Sequence, residues 1–125
     1  MYTVAVRRDF IARHYLTGGD WGEENAPHAH HYKIELRLEG RNLDAHGYLL
    51  DICDIETILD ARLAYFRDKM LNELPEFEGL NPSIEHFARI FLQTMADNIQ
   101  TRRLSALAVK LWENESAWAL YREEY

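Results

Sequence analysis

His28-Ala29-His30-His31-Tyr32-Lys33-Ile34-Glu35-Leu36-Arg37-Leu38-Glu39 alternates without a break. His28, His30, Tyr32, Ile34, Leu36 and Leu38 share one parity, and Ala29, His31, Lys33, Glu35, Arg37 and Glu39 share the other. Successive side chains of a strand point to opposite faces, so a period of two predicts a strand with one buried face. The same parity sets the imidazoles of His28 and His30 side by side on that face.

Working outward, Thr17 to Pro27 is rich in Gly, Asp, Glu and Asn and reads as a loop. Before it, Tyr2 to Leu16 alternates again: Val4, Val6, Phe10, Ala12 and His14 on the buried parity, Thr3, Arg7, Asp9 and Arg13 on the other. Arg8 interrupts the apolar set, which predicts a bulge or an edge strand. After the central strand, Gly40 to Gly47 should turn the chain, and Tyr48-Leu49-Leu50 reads as the start of a third strand. Ile52, Ile55, Ile58, Leu59, Leu63, Phe66 and Met70 form a stripe at helical spacing. Past an acidic loop, Asn81-Pro82-Ser83 reads as a helix start, with Asn81 as cap and Pro82 in the first turn. Ile84, Phe87, Ala88, Phe91, Leu92, Met95 and Ile99 supply that helix's buried face. Leu107, Val109, Leu111 and Glu113 alternate with Ala106, Ala108, Lys110 and Trp112. Asn114-Glu115-Ser116 then turns into a returning strand at Trp118 to Tyr121. Strands, two helices and strands again make an α+β pattern with a largely antiparallel sheet. No repeat or linker divides residues 1–125, so one domain is expected. Sheet edges of this kind need cover, and oligomerisation is one way to supply it.

Composition narrows the function. A chain of 125 residues with 47% hydrophobic and 12% aromatic content suits one globular core. A formal charge of −7, from 21 acidic and 14 basic residues, disfavours nucleic acid as a partner. A small anionic substrate stays compatible, because a local cluster overrides net charge. No apolar run approaches the roughly 20 residues that span a bilayer. The first residues lack the apolar stretch of a signal peptide. The single Cys53 cannot form an internal disulfide, so no oxidising compartment is implied and the cytoplasm is expected.

The chemistry lies in the histidines. His28 and His30 share a face, and His14 has the buried parity of the first strand. If those strands pair, three imidazoles converge. Three neutral imidazoles with an open fourth position suit a catalytic zinc ion, which acidifies a bound hydroxyl or polarises a carbonyl. His-x-His on a strand is also an ordinary surface or core pattern. His31 points to the opposite face, and His46 and His86 read as loop and helix-surface residues. The spacing does not fit the His-Glu-x-x-His helical motif.

Several short motifs fall in a telling order: Phe10-Ile11-Ala12-Arg13-His14, His28-Ala29-His30, Gly47-Tyr48-Leu49-Leu50-Asp51, Leu71-Asn72, Asn81-Pro82-Ser83 and Trp112-Glu113-Asn114. In that order and spacing the chain resembles, over nearly its whole length, the family of 6-pyruvoyl-tetrahydropterin synthase and the bacterial 6-carboxy-tetrahydropterin synthase. The resemblance implies a T-fold: an antiparallel sheet with two helices on one face, closing with neighbouring copies into a barrel as trimers or hexamers. It implies a zinc ion on His14, His28 and His30, and sites between subunits. It also implies that Glu113 grips the pterin ring, since a carboxylate accepts two hydrogen bonds from the ring's NH and amino group.

The chain departs from that pattern at the chemistry. Glu24 stands where the family has a cysteine four residues before His-x-His. Arg67 and Asp68 stand where it has an Asp-His pair. One reading makes Glu24 a general base with Asp68 as partner or second base, in a lyase acting on the side chain of a dihydroneopterin-type substrate. The other keeps the pterin pocket without the synthase reaction.

Overall fold

In the computed structural model all 125 residues are described. The fold follows the alternation closely. Strand β1 runs Tyr2–His14, β2 His28–Gly40, β3 Ala106–Trp112 and β4 Trp118–Glu124. Helix α1 spans Ile52–Phe66 and α2 spans Ile84–Ala96. The strands form one antiparallel sheet in the order β1-β2-β3-β4. This is an α+β T-fold with both helices on one face of the sheet.

That covered face is the one the parity picks out. Val6, Phe10 and Ala12 of β1, Tyr32, Ile34, Leu36 and Leu38 of β2, and Leu107, Val109 and Leu111 of β3 are all buried. They meet Ile55, Leu59, Leu63 and Phe66 of α1 and Phe87, Phe91, Leu92 and Met95 of α2. Phe87 is the hub, with ring centroids 5.4–6.5 Å from those of Phe10, Tyr32, Phe66, Phe77 and Phe91. Burying one such ring is worth about 1.5–3 kcal/mol relative to leaving it in water. The opposite face is polar. There Glu35 is buried between Arg7 and Arg37. Burial pushes its carboxyl up, but hydrogen bonds from the two guanidiniums outweigh that and hold it below the usual carboxylate range.

Three local expectations change. Arg8 makes no bulge: β1 keeps register through Arg8↔Ile34, and Arg8 reaches α1 to pair with Asp60 at 2.8 Å and Glu56 at 2.6 Å. The edge position does hold, since β1 has one neighbour. Tyr48-Leu49-Leu50 is not a strand. The Asp44 carboxylate accepts the backbone N–H groups of His46 and Tyr48 at 2.9 and 3.0 Å, curling the segment back on itself. Leu49 is thereby laid against Gly40, where an added Cβ would come within 2.5 Å of its Cδ1. The cap of α2 is Ser83, which accepts from the His86 N–H at 3.2 Å, and not Asn81. Asn81 and Pro82 serve the end of β1 instead, as described next.

Candidate metal centre

Register brings the histidines together. His14 lies directly opposite His28, and Ala12 lies opposite His30, where its methyl leaves room for imidazole rings. The ring centroids are 4.6 Å apart for His14–His28, 4.9 Å for His14–His30 and 4.8 Å for His28–His30. One nitrogen from each ring lies within 4.8 Å of the other two. His14 is fully buried and the other two are half-buried.

Backbone carbonyls aim two of the rings. His14 Nδ1 lies 3.0 Å from the Pro82 oxygen, and His28 Nδ1 lies 2.8 Å from the Ala26 oxygen. A carbonyl only accepts, so both Nδ1 atoms carry the hydrogen and both Nε2 lone pairs turn toward the cluster. His28 Nε2 sits 3.0 Å from His30 Nε2. His14 Nε2 is buried with no hydrogen-bond partner at all. An unsatisfied buried acceptor costs about 1–3 kcal/mol. A divalent cation held in common would satisfy it: tetrahedral donors at about 2.0–2.1 Å from zinc lie about 3.3 Å apart, between the 3.0 Å that separates His28 Nε2 from His30 Nε2 and the 4.8 Å that bounds the set. The residues present therefore fit a three-imidazole zinc site. Burial pushes the His14 imidazole down to about 4; the bond to Pro82 opposes that shift, and charge on His30 and His28 adds to it. A neutral imidazole is the form a metal needs.

The motifs on either side of α2's start and after α1 hold the end of β1. Asn72 clamps Tyr15 at both backbone groups, accepting its N–H at 3.0 Å and donating to its carbonyl at 2.9 Å. Asn81 Oδ1 accepts the Thr17 N–H at 2.9 Å. With Pro82 on the ring, three residues far along the sequence fix the position of His14. Sequence reasoning missed these roles, and it missed Tyr32 as well. The fully buried Tyr32 hydroxyl lies 3.3 Å from His14 Nδ1. Burial pushes that hydroxyl up, and the Glu113 charge adds to the shift.

Glu113 follows β3, with its carboxylate Oε1 at 3.2 Å from His30 Nε2 and 3.7 Å from His14 Nε2. Its backbone N–H donates to Ala117 at 3.1 Å across the β3–β4 turn. Glu24 and Asp68 are not among the side chains whose ligand atoms converge. Glu24 sits in a 3-10 turn, Gly22–Asn25, whose carbonyl at Glu24 accepts the Leu16 N–H at 2.9 Å, while its side chain is exposed. Asp68 is exposed just beyond α1, with a left-handed φ of 60°. Its N–H donates to the Ile11 carbonyl at 2.7 Å, so its backbone rides on β1. His31 pairs with Asp9 at 2.8 Å on the far face, His86 Nδ1 donates to the Asn81 carbonyl at 2.7 Å, and Cys53 is exposed on α1.

Comparison with known proteins adds the family and the fold. The sequence model of the 6-pyruvoyl tetrahydropterin synthase family matches residues 3–124. No curated protein matches the chain. The structure is similar to that of the Caenorhabditis elegans 6-pyruvoyl tetrahydropterin synthase, with a TM-score of 0.82 and 18% identity over 99% of this chain and 98% of that one. It is similar to a Plasmodium vivax 6-pyruvoyltetrahydropterin synthase in which a glutamate described as a catalytic residue is replaced by alanine, with a TM-score of 0.82 and 16% identity over 99% and 98% of the two chains. A Vibrio cholerae protein described as a putative dihydroneopterin aldolase shares the fold at a TM-score of 0.53 and 14% identity, over 100% of this chain and 98% of that one. No helix is long and apolar enough to cross a membrane.

Proposed function

Because the chain belongs to the 6-pyruvoyl tetrahydropterin synthase family, we propose that it is a zinc-dependent lyase acting on the side chain of a dihydroneopterin-type substrate. The observation that carries this reading is the imidazole cluster with its buried, unpartnered His14 Nε2. His14, His28 and His30 would hold the ion. When bound, it would supply a Lewis acid at the substrate's side-chain oxygens and lower the pKa of a hydroxyl there.

The protein's own groups take the other parts. Glu113, beside the cluster, would accept paired N–H donors from the pterin ring and so fix the side chain toward the imidazoles. Glu24 would take the proton from the activated carbon or hydroxyl, and Asp68 would return one to the leaving fragment. The glutamate described as catalytic in the Plasmodium vivax relative supports the choice of Glu24 over Cys53. The unpaired outer edges of β1 and β4 support assembly as a trimer or hexamer, with neighbouring chains completing the site. A cytoplasmic setting belongs to the same reading.

The exposure of Glu24 and Asp68 favours a second reading, a pterin-binding homologue without turnover. Incubating the zinc-loaded protein with dihydroneopterin triphosphate, dihydroneopterin and related dihydropterins, with products followed by mass, separates the two. We expect loss of the side chain or of its phosphates with wild type and none with His28→Ala. Binding of the panel with no new mass in any tube would leave the binding reading, and no binding at all would sink both.

A further inference from the structure

The Glu113 carboxylate faces the imidazoles of His14 and His30, and from that juxtaposition we propose that it is a positioning residue for the metal, strengthening cation binding at His14, His28 and His30 in addition to any contact with substrate. The inference rests on the metal-site reading above. Three neutral imidazoles bring no negative charge of their own to a divalent ion. Glu113 supplies one from 3.2 Å beyond His30 Nε2 and 3.7 Å beyond His14 Nε2.

Three observations make that charge effective. The side chain is only 25% exposed, so water screens it weakly. No lysine or arginine pairs with Glu113; its only ionic neighbours are His14 and His30. Its position is set by a tight hairpin, in which Asn114 Oδ1 accepts the N–H groups of Ser116 and Ala117, each at 2.9 Å, and the Glu113 N–H donates to Ala117 at 3.1 Å. Glu113 faces the Nε2 atoms, the side on which a shared cation would sit, so its negative charge attracts the ion directly across a short distance. Glu113 lies against two of the three rings, where its field acts on the whole ligand set.

The same carboxylate would be claimed by a pterin ring. A ligand whose N–H groups occupy Glu113 draws on the charge that helps hold the cation, so the two affinities are coupled, each altering the other by the same factor.

The test is zinc affinity by competition with a chromophoric chelator, using the full chain stripped of metal, as wild type, Glu113→Gln, Glu113→Asp and His28→Ala. Melting temperatures of the stripped forms serve as the control for folding. Glu113→Gln should weaken zinc by about 10–100-fold, the loss of one nearby partly screened charge, with the stripped melting temperature unchanged. Glu113→Asp, which keeps the charge, should recover part of that loss. His28→Ala should lose more than either. Wild-type affinity in Glu113→Gln alongside loss in His28→Ala would overturn the inference and leave the metal site standing. Equal binding by wild type and His28→Ala would overturn the metal site itself.

Discussion

The imidazoles and the two candidate acids are held by the scaffold in opposite ways. His14, His28 and His30 project from paired strands, their positions set by a register of ladder hydrogen bonds and, for His14, by Pro82, Asn72 and Asn81 from outside the sheet. Glu24 and Asp68 sit in turns, exposed, with only their backbones tied to β1 or its continuation. A metal-binding set must be preorganised to fractions of an ångström, and strands provide that. Acids that must reach a substrate and release it are carried by loops, where a neighbouring chain or the substrate itself can complete their surroundings.

The strongest way to break this contrast is at Glu24. If the loop acid carries proton transfer while the strands carry the metal, Glu24→Gln should lower turnover by about 10²- to 10⁴-fold and leave zinc content unchanged. Steady-state kinetics and metal analysis of the same preparation check both. A wild-type rate would remove Glu24 from the chemistry; a loss of zinc would make the loop part of the metal's support.

Weakening the floor under the strands sharpens the contrast next. Phe87→Ala removes the ring that packs on Phe10 and Tyr32, directly behind the histidines. It should cost about 3–5 kcal/mol of stability, measurable in a denaturant titration. Nothing on the exposed acids themselves should change.

The smallest expected effect is a pH dependence of the metal-stripped protein. Folded His14 takes up its proton only near pH 4, against about 6.5 for an unperturbed histidine. Between these values the unfolded chain binds more protons, so stability falls as pH drops through that window, by at most about 1.4 kcal/mol per pH unit from this residue. His14→Asn should flatten that part of the curve in melts of the metal-stripped protein, and the extra stability that zinc adds should shrink there as protons compete for the imidazoles.

Much of this architecture is legible in the sequence, for a specific reason. Strand parity is a local signal, and it places Val6, Phe10, His14, His28, His30 and Leu36 on the covered face without knowledge of the fold. The helical stripes of α1 and α2 work the same way. Failures occur where a distant or side-chain partner takes over a backbone group. Tyr48-Leu49-Leu50 has strand composition, but the Asp44 carboxylate claims its backbone. Asn81-Pro82 obeys the rules for starting a helix, yet the Asn81 amide is spent on Thr17, 64 residues away. The orienting roles of Pro82, Ala26 and Tyr32 depend on convergence in space, which no spacing along the chain encodes.

Asp68 has one consequence of its own. A left-handed backbone is about 1–2 kcal/mol uphill for an ordinary L-residue and least so for glycine, asparagine and aspartate. At φ 60° with an exposed side chain, glycine would relieve the chain at that turn. If the carboxylate takes the part proposed for it, a robust fold and the chemistry pull apart at this one position. An Asp68→Gly protein that is sturdier but slower would support that part, and one that is sturdier at an unchanged rate would remove Asp68 from the chemistry.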